Sequence, residues 1–350
     1  MDGFLSEYDF DFPEELIAKS PASPRDSAGL LVFDRKTGKA SFDTFRDLGK
    51  YLPPSSLIVL NDTKVVPSRF PVLKPEGGRA VLTAVDISDD SIKVMSDRKL
   101  DVGATVSVSS GDIFKIIRQE GKYFFIHPGN KFKKDGVIDR SLIFKLFEDI
   151  GVPPIPPYIK KCPLKGDELK EEYQSVFACN DGSYAAPTAS LHFTEELLTN
   201  LRSEGHETCF VTLHVGLGTF APLTEENIAS GKLHKEVCEI NDETAEKISR
   251  ARKEGRKIIA VGTTAVRTLE SFSDDGGMIT AGKRETDLFI REGYEFKIAD
   301  GLITNFHVPR SSLLMLVSAF AGRKEVRELY AAAIDRKFRL FSFGDAMLIV

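Results

Sequence analysis

An α/β main domain with a mixed sheet, plus a small antiparallel β-barrel domain inserted near the N-terminus, is the fold class this sequence predicts. Three observations predict it. From about residue 160 onward, short apolar runs alternate with amphipathic helical patterns, as in a layered α/β sheet. Between Val65 and Gly129 strict period-two alternation takes over, split by turns at Gly77-Gly78, Asp89-Asp90, Gly103 and Glu120-Gly121. At 350 residues the chain also exceeds the size of one usual core. The expected division is 1–63 with 152–350 as the main domain and 64–151 as the insert.

The N-terminal part opens with Tyr8, Phe10 and Phe12 alternating with acids, and Pro13-Glu14-Glu15 starts a short helix. Residues 29–34 read as a strand, 36–39 as a hairpin turn, and 42–51 as a helix stopped by Pro53-Pro54. Leu57-Ile58-Val59-Leu60 is apolar on both faces, which marks a central buried strand ending at Asn61-Asp62-Thr63. The barrel strands are expected at 80–85, 91–95, 105–108, 113–117 and 123–127. Helical patterning resumes at 141–150, and Pro153-Pro154-Ile155-Pro156-Pro157 forms a stiff linker.

In the second half, Thr194 caps a helix over 195–202, followed by a strand over 208–215. Asn241 caps the helix 242–254, and Ile258-Ile259-Ala260-Val261 is a short buried strand. That strand runs through Gly262-Thr263-Thr264 into a helix over 265–272. Residues 287–290 and 302–306 are further strands, the latter able to pair in either direction. Ser311 or Ser312 caps an apolar helix to Ala321, a second helix covers 323–336, and 346–350 closes as a strand.

Composition excludes several classes. With 42% hydrophobic residues and no low-complexity tract, the chain can bury a core. Its longest apolar runs fall short of a membrane span, and Met1-Asp2-Gly3-Phe4 lacks the basic start of a signal peptide, so a soluble cytoplasmic protein is expected. Four cysteines without a Cys-x-x-Cys pair argue against a structural zinc site and a disulfide framework. A net charge of −5 offers no global attraction to polyanions; RNA would have to be held by local basic patches such as Lys131-Phe132-Lys133-Lys134.

The stretch 182–220 is the strongest candidate for a pocket wall. Its first part, from Gly182-Ser183-Tyr184-Ala185-Ala186-Pro187-Thr188 to His192, is small, Pro-broken and rich in hydroxyls. Its second, Val211-Thr212-Leu213-His214-Val215-Gly216-Leu217-Gly218, is a strand ending in a Gly-x-Gly loop. Gly262-Thr263-Thr264 at a helix start reads either as an anion cradle, with Arg267 one turn in as a bidentate partner, or as an ordinary N-cap with a surface Arg. Five of the six histidines lie in the second half, but none has the spacing of paired metal ligands on a helix, and no metal is expected. No Gly-x-Ser-x-Gly or phosphate-loop pattern occurs. These residues alone leave open a nucleoside or phosphate-ester hydrolase and a non-catalytic RNA-binding protein.

Several blocks together carry a resemblance. Asn61-Asp62-Thr63, Tyr173-Gln174-Ser175-Val176-Phe177-Ala178, Ala185-Ala186-Pro187-Thr188 with Leu191-His192-Phe193, and Thr212-Leu213-His214-Val215-Gly216 with Gly218-Thr219-Phe220 resemble the S-adenosylmethionine:tRNA ribosyltransferase-isomerase family. So do Val261-Gly262-Thr263-Thr264 with Arg267, Thr304-Asn305-Phe306-His307, and Phe341-Ser342 with Gly344-Asp345-Ala346-Met347. Ser190, Leu217, Leu233 and Phe343 depart from the residues commoner in the family; Phe343 replaces a Tyr and so brings no hydroxyl.

The resemblance implies an α/β domain with an inserted barrel. It also implies transfer and isomerisation of the ribosyl part of S-adenosylmethionine onto an aminomethyl-deazaguanine base of tRNA, in queuosine biosynthesis. The implied partners are S-adenosylmethionine as co-substrate and the tRNA anticodon region; a monomer suffices. The expected catalytic set is His192, His214, His307, Asp62 and Asp345. The expected cofactor-binding set is Ala185, Thr188, Gly216, Gly218, Thr263, Thr264 and Arg267, with Thr263, Thr264 and Arg267 on the methionine carboxylate or an RNA phosphate. His192 and His214 are expected to face the ribose from either side.

Overall fold

The computed structural model describes residues 2–216, 218 and 222–350; Leu217, Thr219 and Phe220 of the predicted Gly-rich loop lie outside the described residues. Among those described, nine strands form one mixed sheet. Its centre is four parallel strands, in the order Glu207–Leu213, Leu57–Asn61, Ile258–Val261 and Gly301–Asn305. The last pairs antiparallel with Ala346–Ile349, beyond which lie Gly29–Asp34 and Lys39–Thr44. The other edge is antiparallel: Lys232–Ile240, then Gly282–Leu288.

The central strands are apolar on both faces because both are covered. Leu57, Val59, Ile258, Ala260 and Leu302 point into a core with the helices Asp242–Lys253, Gly262–Phe272, Ser312–Ala321 and Arg323–Asp335. Their neighbours Ile58, Leu60, Ile259, Val261 and Ile303 point the opposite way, against Phe45, Leu48 and the helix Glu195–Ser203. Successive strand residues alternate between faces, so a run such as 57–60 serves two cores at once.

A closed antiparallel barrel lies in sequence between the sheet strands Leu57–Asn61 and Glu207–Leu213. Its strands are Arg69–Leu73, Arg79–Ile87, Ile92–Ser96, Tyr123–Pro128, Ile113–Glu120 and Thr105–Ser107 in spatial order. Phe70, Leu82, Val94, Phe114 and Ile126 fill it. The helix Arg140–Ile150 seals one side through Phe147, which stacks on Phe70 at 4.9 Å.

Three differences from the sequence reading have local causes. The helix expected over 42–51 is the end of a hairpin strand, Lys39–Thr44, followed by a 3-10 turn, Phe45–Tyr51; pairing with Gly29–Asp34 outweighs helix patterning in the first three residues. The strand placed at 287–290 is Gly282–Leu288. The strand Lys232–Ile240 was not expected, because its one buried face carries Glu236, Cys238 and Ile240 and so does not read as apolar alternation.

Candidate functional site

All four parallel strands end at the same edge of the sheet, and each exit carries one of the candidate motifs. Asn61-Asp62-Thr63, His214-Val215-Gly216, Gly262-Thr263-Thr264 and Phe306-His307 follow the respective strands, and Ser342–Asp345 enter the antiparallel neighbour there. Carboxyl ends of parallel strands are where α/β sheets form their crevices.

The larger cavity at this edge, of about 250 Å³, is lined by Thr188, Thr263, Thr264, Asn305, His307 and the pair Tyr158 and Ser342, with Phe306, Phe341 and Leu313 among its apolar walls. Gly262 opens the helix Gly262–Phe272 with φ of +83°, a conformation open to glycine at little cost, and no side chain caps that helix. This uncapped, positive helix end lines the cavity with Gly262, Thr263 and Thr264. The Thr264 hydroxyl is buried without a hydrogen-bond partner among the described residues. Tyr158 Oη and Ser342 Oγ lie 2.6 Å apart, and burial pushes the Tyr158 phenol up to about 12.

Behind this wall stands a fixed amide network. Asn305 Nδ2 donates to the Phe341 carbonyl at 3.1 Å and contacts His192 Nε2 at 3.2 Å, while Asn305 Oδ1 accepts the Thr188 hydroxyl at 3.1 Å. A carbonyl can only accept, so the amide orientation is determined and His192 Nε2 must be the unprotonated nitrogen. Burial, helped by Arg339 and Arg25, brings His192 down to about 3; burial alone does the same for His307, whose Nε2 lies 2.8 Å from Thr304 Oγ1. Both rings are neutral near pH 7.

A smaller cavity of about 60 Å³ adjoins the larger one, since Pro222 and Leu313 line both. Gly216, Gly218, Glu236 and Arg267 are on its wall. Arg267 is 5% exposed and Glu236 7%. Arg267 Nη1 donates to Glu236 Oε2 and Nε to the Leu288 carbonyl at 3.1 Å, and Glu236 Oε1 accepts the Gly216 N–H at 3.0 Å. The ion pair thus holds the start of the glycine loop.

The third cluster lies toward the barrel. His214 Nδ1 is 2.8 Å from Thr63 Oγ1, and Asp62 Oδ1 accepts the Thr212 hydroxyl at 2.7 Å. Gly182, φ +148°, lets the chain pass against the His214 ring: an added Cβ would stand 2.9 Å from its Cε1. Its neighbour Asp181 lines a recess with Val66, Arg140 and Lys145 from the barrel side. Desolvation, with Lys283, lowers His214 below the usual imidazole value, and Asp62 and Glu239 oppose that shift.

Thr188, Thr263, Thr264 and His307 are therefore brought to one cavity, and Gly216, Gly218 and Arg267 to its smaller neighbour. Four expectations meet a different geometry. His192 and His214 do not face one another across a ligand: neither lines the larger cavity, His192 being packed on Phe45 at 4.9 Å behind Asn305 and His214 lying against Thr63 and Gly182. Thr263 and Thr264 share no cavity with Arg267, whose inner arm is taken by Glu236. Asp345 binds the N–H groups of Gly29 and Arg339 and the Arg339 guanidinium at 2.8 Å, clamping the entry to its strand. Ala185 is fully buried, its carbonyl accepting the Ser183 hydroxyl.

Sequence reasoning places Asn305 in a candidate block without a role and misses Tyr158 and Glu236 as lining residues. Glu236 carried a usable signal, an acid in register with Cys238 and Ile240 on one strand face. Tyr158, placed by the Pro-rich linker, carried none.

An open α/β sheet with hydroxyl- and imidazole-lined cavities at its carboxyl edge defines a protein that binds a small polar ligand there. The chain belongs to the queuosine biosynthesis protein family, whose model matches residues 5–349. It is 45% identical to the S-adenosylmethionine:tRNA ribosyltransferase-isomerase of Caldanaerobacter subterraneus over 352 residues, with 99% of each chain covered. The enzyme of the same name from Carboxydothermus hydrogenoformans is likewise 45% identical with 99% of each covered. The crystal structure of S-adenosylmethionine tRNA ribosyltransferase from Thermotoga maritima superposes with a TM-score of 0.56 at 32% identity, covering 98% of this chain and 100% of that one.

Proposed function

We propose that this protein transfers and isomerises the ribosyl part of S-adenosylmethionine onto the 7-aminomethyl-7-deazaguanine base of tRNA, giving epoxyqueuosine and releasing adenine and methionine. Family membership supports the reaction, and the larger cavity carries its placement: about 250 Å³ at the carboxyl edge of the sheet, with hydroxyls, a neutral imidazole and aromatic walls. Thr188 spends its proton on Asn305 and so offers lone pairs to ribose hydroxyls. Phe306 and Phe341 supply apolar surface for a purine. His307, held neutral, contributes a hydrogen bond to departing adenine and no charge.

The sulfonium acidifies the neighbouring ribose methylene, so the reaction needs a proton acceptor, and the incoming aminomethyl group must be neutral to attack. We assign to the His214 and Asp62 cluster, which lies outside the co-substrate cavity, the proton that leaves the tRNA aminomethyl group as it attacks. In this reading residues 64–151 present the tRNA anticodon region, and one chain is enough, since every cluster is built from it. Among the described residues no helix is long and apolar enough to cross a membrane.

The test is incubation with S-adenosylmethionine and tRNA carrying the precursor base, with released adenine followed by chromatography. Release that depends on that tRNA is the expected result. No release, or release without tRNA, contradicts the proposal.

A further inference from the structure

Arg267 is a cation with one arm left over. Its Nη1 and Nε are committed to Glu236 and the Leu288 carbonyl, yet Nη2 is buried with no hydrogen-bond partner among the described residues. A charged donor shut away from water without an acceptor is costly to leave unpaired, so a group with lone pairs belongs there. Glu236, itself fixed by the Gly216 N–H, prevents the guanidinium from turning to find another partner.

We infer that the smaller cavity is an α-amino-acid carboxylate site, which receives the methionine end of S-adenosylmethionine with its carboxylate on Arg267 Nη2. This rests on the proposed function and adds a place for the half of the co-substrate that the reaction discards. The remaining lining supports it. Leu223, Leu233, Leu288 and Leu316 form an apolar sleeve suited to the methylene chain beside the sulfonium. Pro222 and Leu313 line both cavities, so a ligand whose nucleoside occupies the larger reaches the smaller directly. The Glu236 carboxylate is balanced by Arg267 through Nη1, which leaves the Nη2 arm for a second carboxylate. The anion cradle expected at Thr263 and Thr264 is thereby released to the nucleoside.

The experiment compares ligands on the unaltered enzyme. Equilibrium binding is measured for S-adenosylmethionine and for its decarboxylated form, which keeps the adenosine, sulfonium and ammonium. Loss of the carboxylate should weaken binding about 10- to 100-fold, the range of a buried charge-assisted hydrogen bond. In Arg267→Lys, whose single ammonium cannot both hold Glu236 and stand where Nη2 does, the preference for S-adenosylmethionine over its decarboxylated form, measured on the same variant, should shrink toward one. Equal affinity of both ligands for the wild-type enzyme would overturn the carboxylate site and leave the proposed function standing. Failure of S-adenosylmethionine to bind at all would overturn both.

Discussion

His192 and His307 on one side, and His214 on the other, show how one residue type is put to two uses at one sheet edge. The first two are enclosed, brought down to about 3, and tied to Asn305 and Thr304. They behave as neutral hydrogen-bonding groups that fix the cavity wall. His214 is only partly buried, pairs with Thr63, and feels Asp62 as a counterweight to desolvation. It alone of the three is both incompletely enclosed and set against Thr63 and Gly182, outside the larger cavity. Burial thus separates groups that build the site from one that can change charge within it.

The largest effect should come from the accessible histidine. His214→Asn is expected to slow adenine release by about 10²- to 10⁴-fold, read in single-turnover assays with precursor tRNA. In the wild type, the acid limb of the rate profile should have its midpoint below the usual imidazole value, and Asp62→Asn should move it lower still by removing a charge that favours the imidazolium.

Next comes the ion pair behind the smaller cavity. Glu236→Gln leaves Arg267 buried without its counter-charge and should destabilise the fold by about 3–5 kcal/mol in urea unfolding. An unchanged midpoint would mean that the pair is solvated and that its burial has been overstated.

The enclosed histidines should show themselves through stability. Their folded pKa of about 3 is below the unfolded value, so between that value and 3 the unfolded chain binds protons that the native state refuses. Stability is therefore complete above about pH 6.5 and falls as the pH drops, each histidine contributing about 1.4 kcal/mol per pH unit. His307→Gln should make the decline shallower by that amount in unfolding curves between pH 6 and 4. A slope equal to that of the wild type would place His307 with His214 and erase the distinction.

Thr188→Val is the mildest change. It removes one lone-pair acceptor and the proton that Asn305 Oδ1 takes, and should weaken S-adenosylmethionine binding by about 3- to 10-fold in titration calorimetry.

The legible part of the molecule was the part governed by local pattern. The doubly apolar run at 57–60, the Asn241 and Thr194 caps and the alternation through the barrel all express chemistry that acts within a few residues. The exits of the parallel strands were legible as sites for the same reason, being polar motifs at the ends of apolar runs. What stayed hidden was which side of each exit a side chain takes. His192 and His214 flank small-residue segments that look equivalent in sequence, yet Asn305 draws one behind the wall and Thr63 holds the other toward the barrel. Asp345 reads as a catalytic acid in sequence, whereas it holds the Gly29 N–H, brought to it by sheet pairing, and the Arg339 guanidinium from its own turn. Arg267 is legible as a ligand's partner from its place one turn into the helix, but the bonds that fix it, to Glu236 and the Leu288 carbonyl, come from neighbouring strands and are not.

The most direct test of this division is the affinity of His214→Asn for S-adenosylmethionine in the absence of tRNA, set beside its rate of adenine release. If the donor's cavity and the acceptor's proton chemistry are separate clusters, the affinity stays within about twofold of wild type while the rate collapses. A loss of affinity matching the loss of rate would place His214 in the co-substrate cavity and contradict the account.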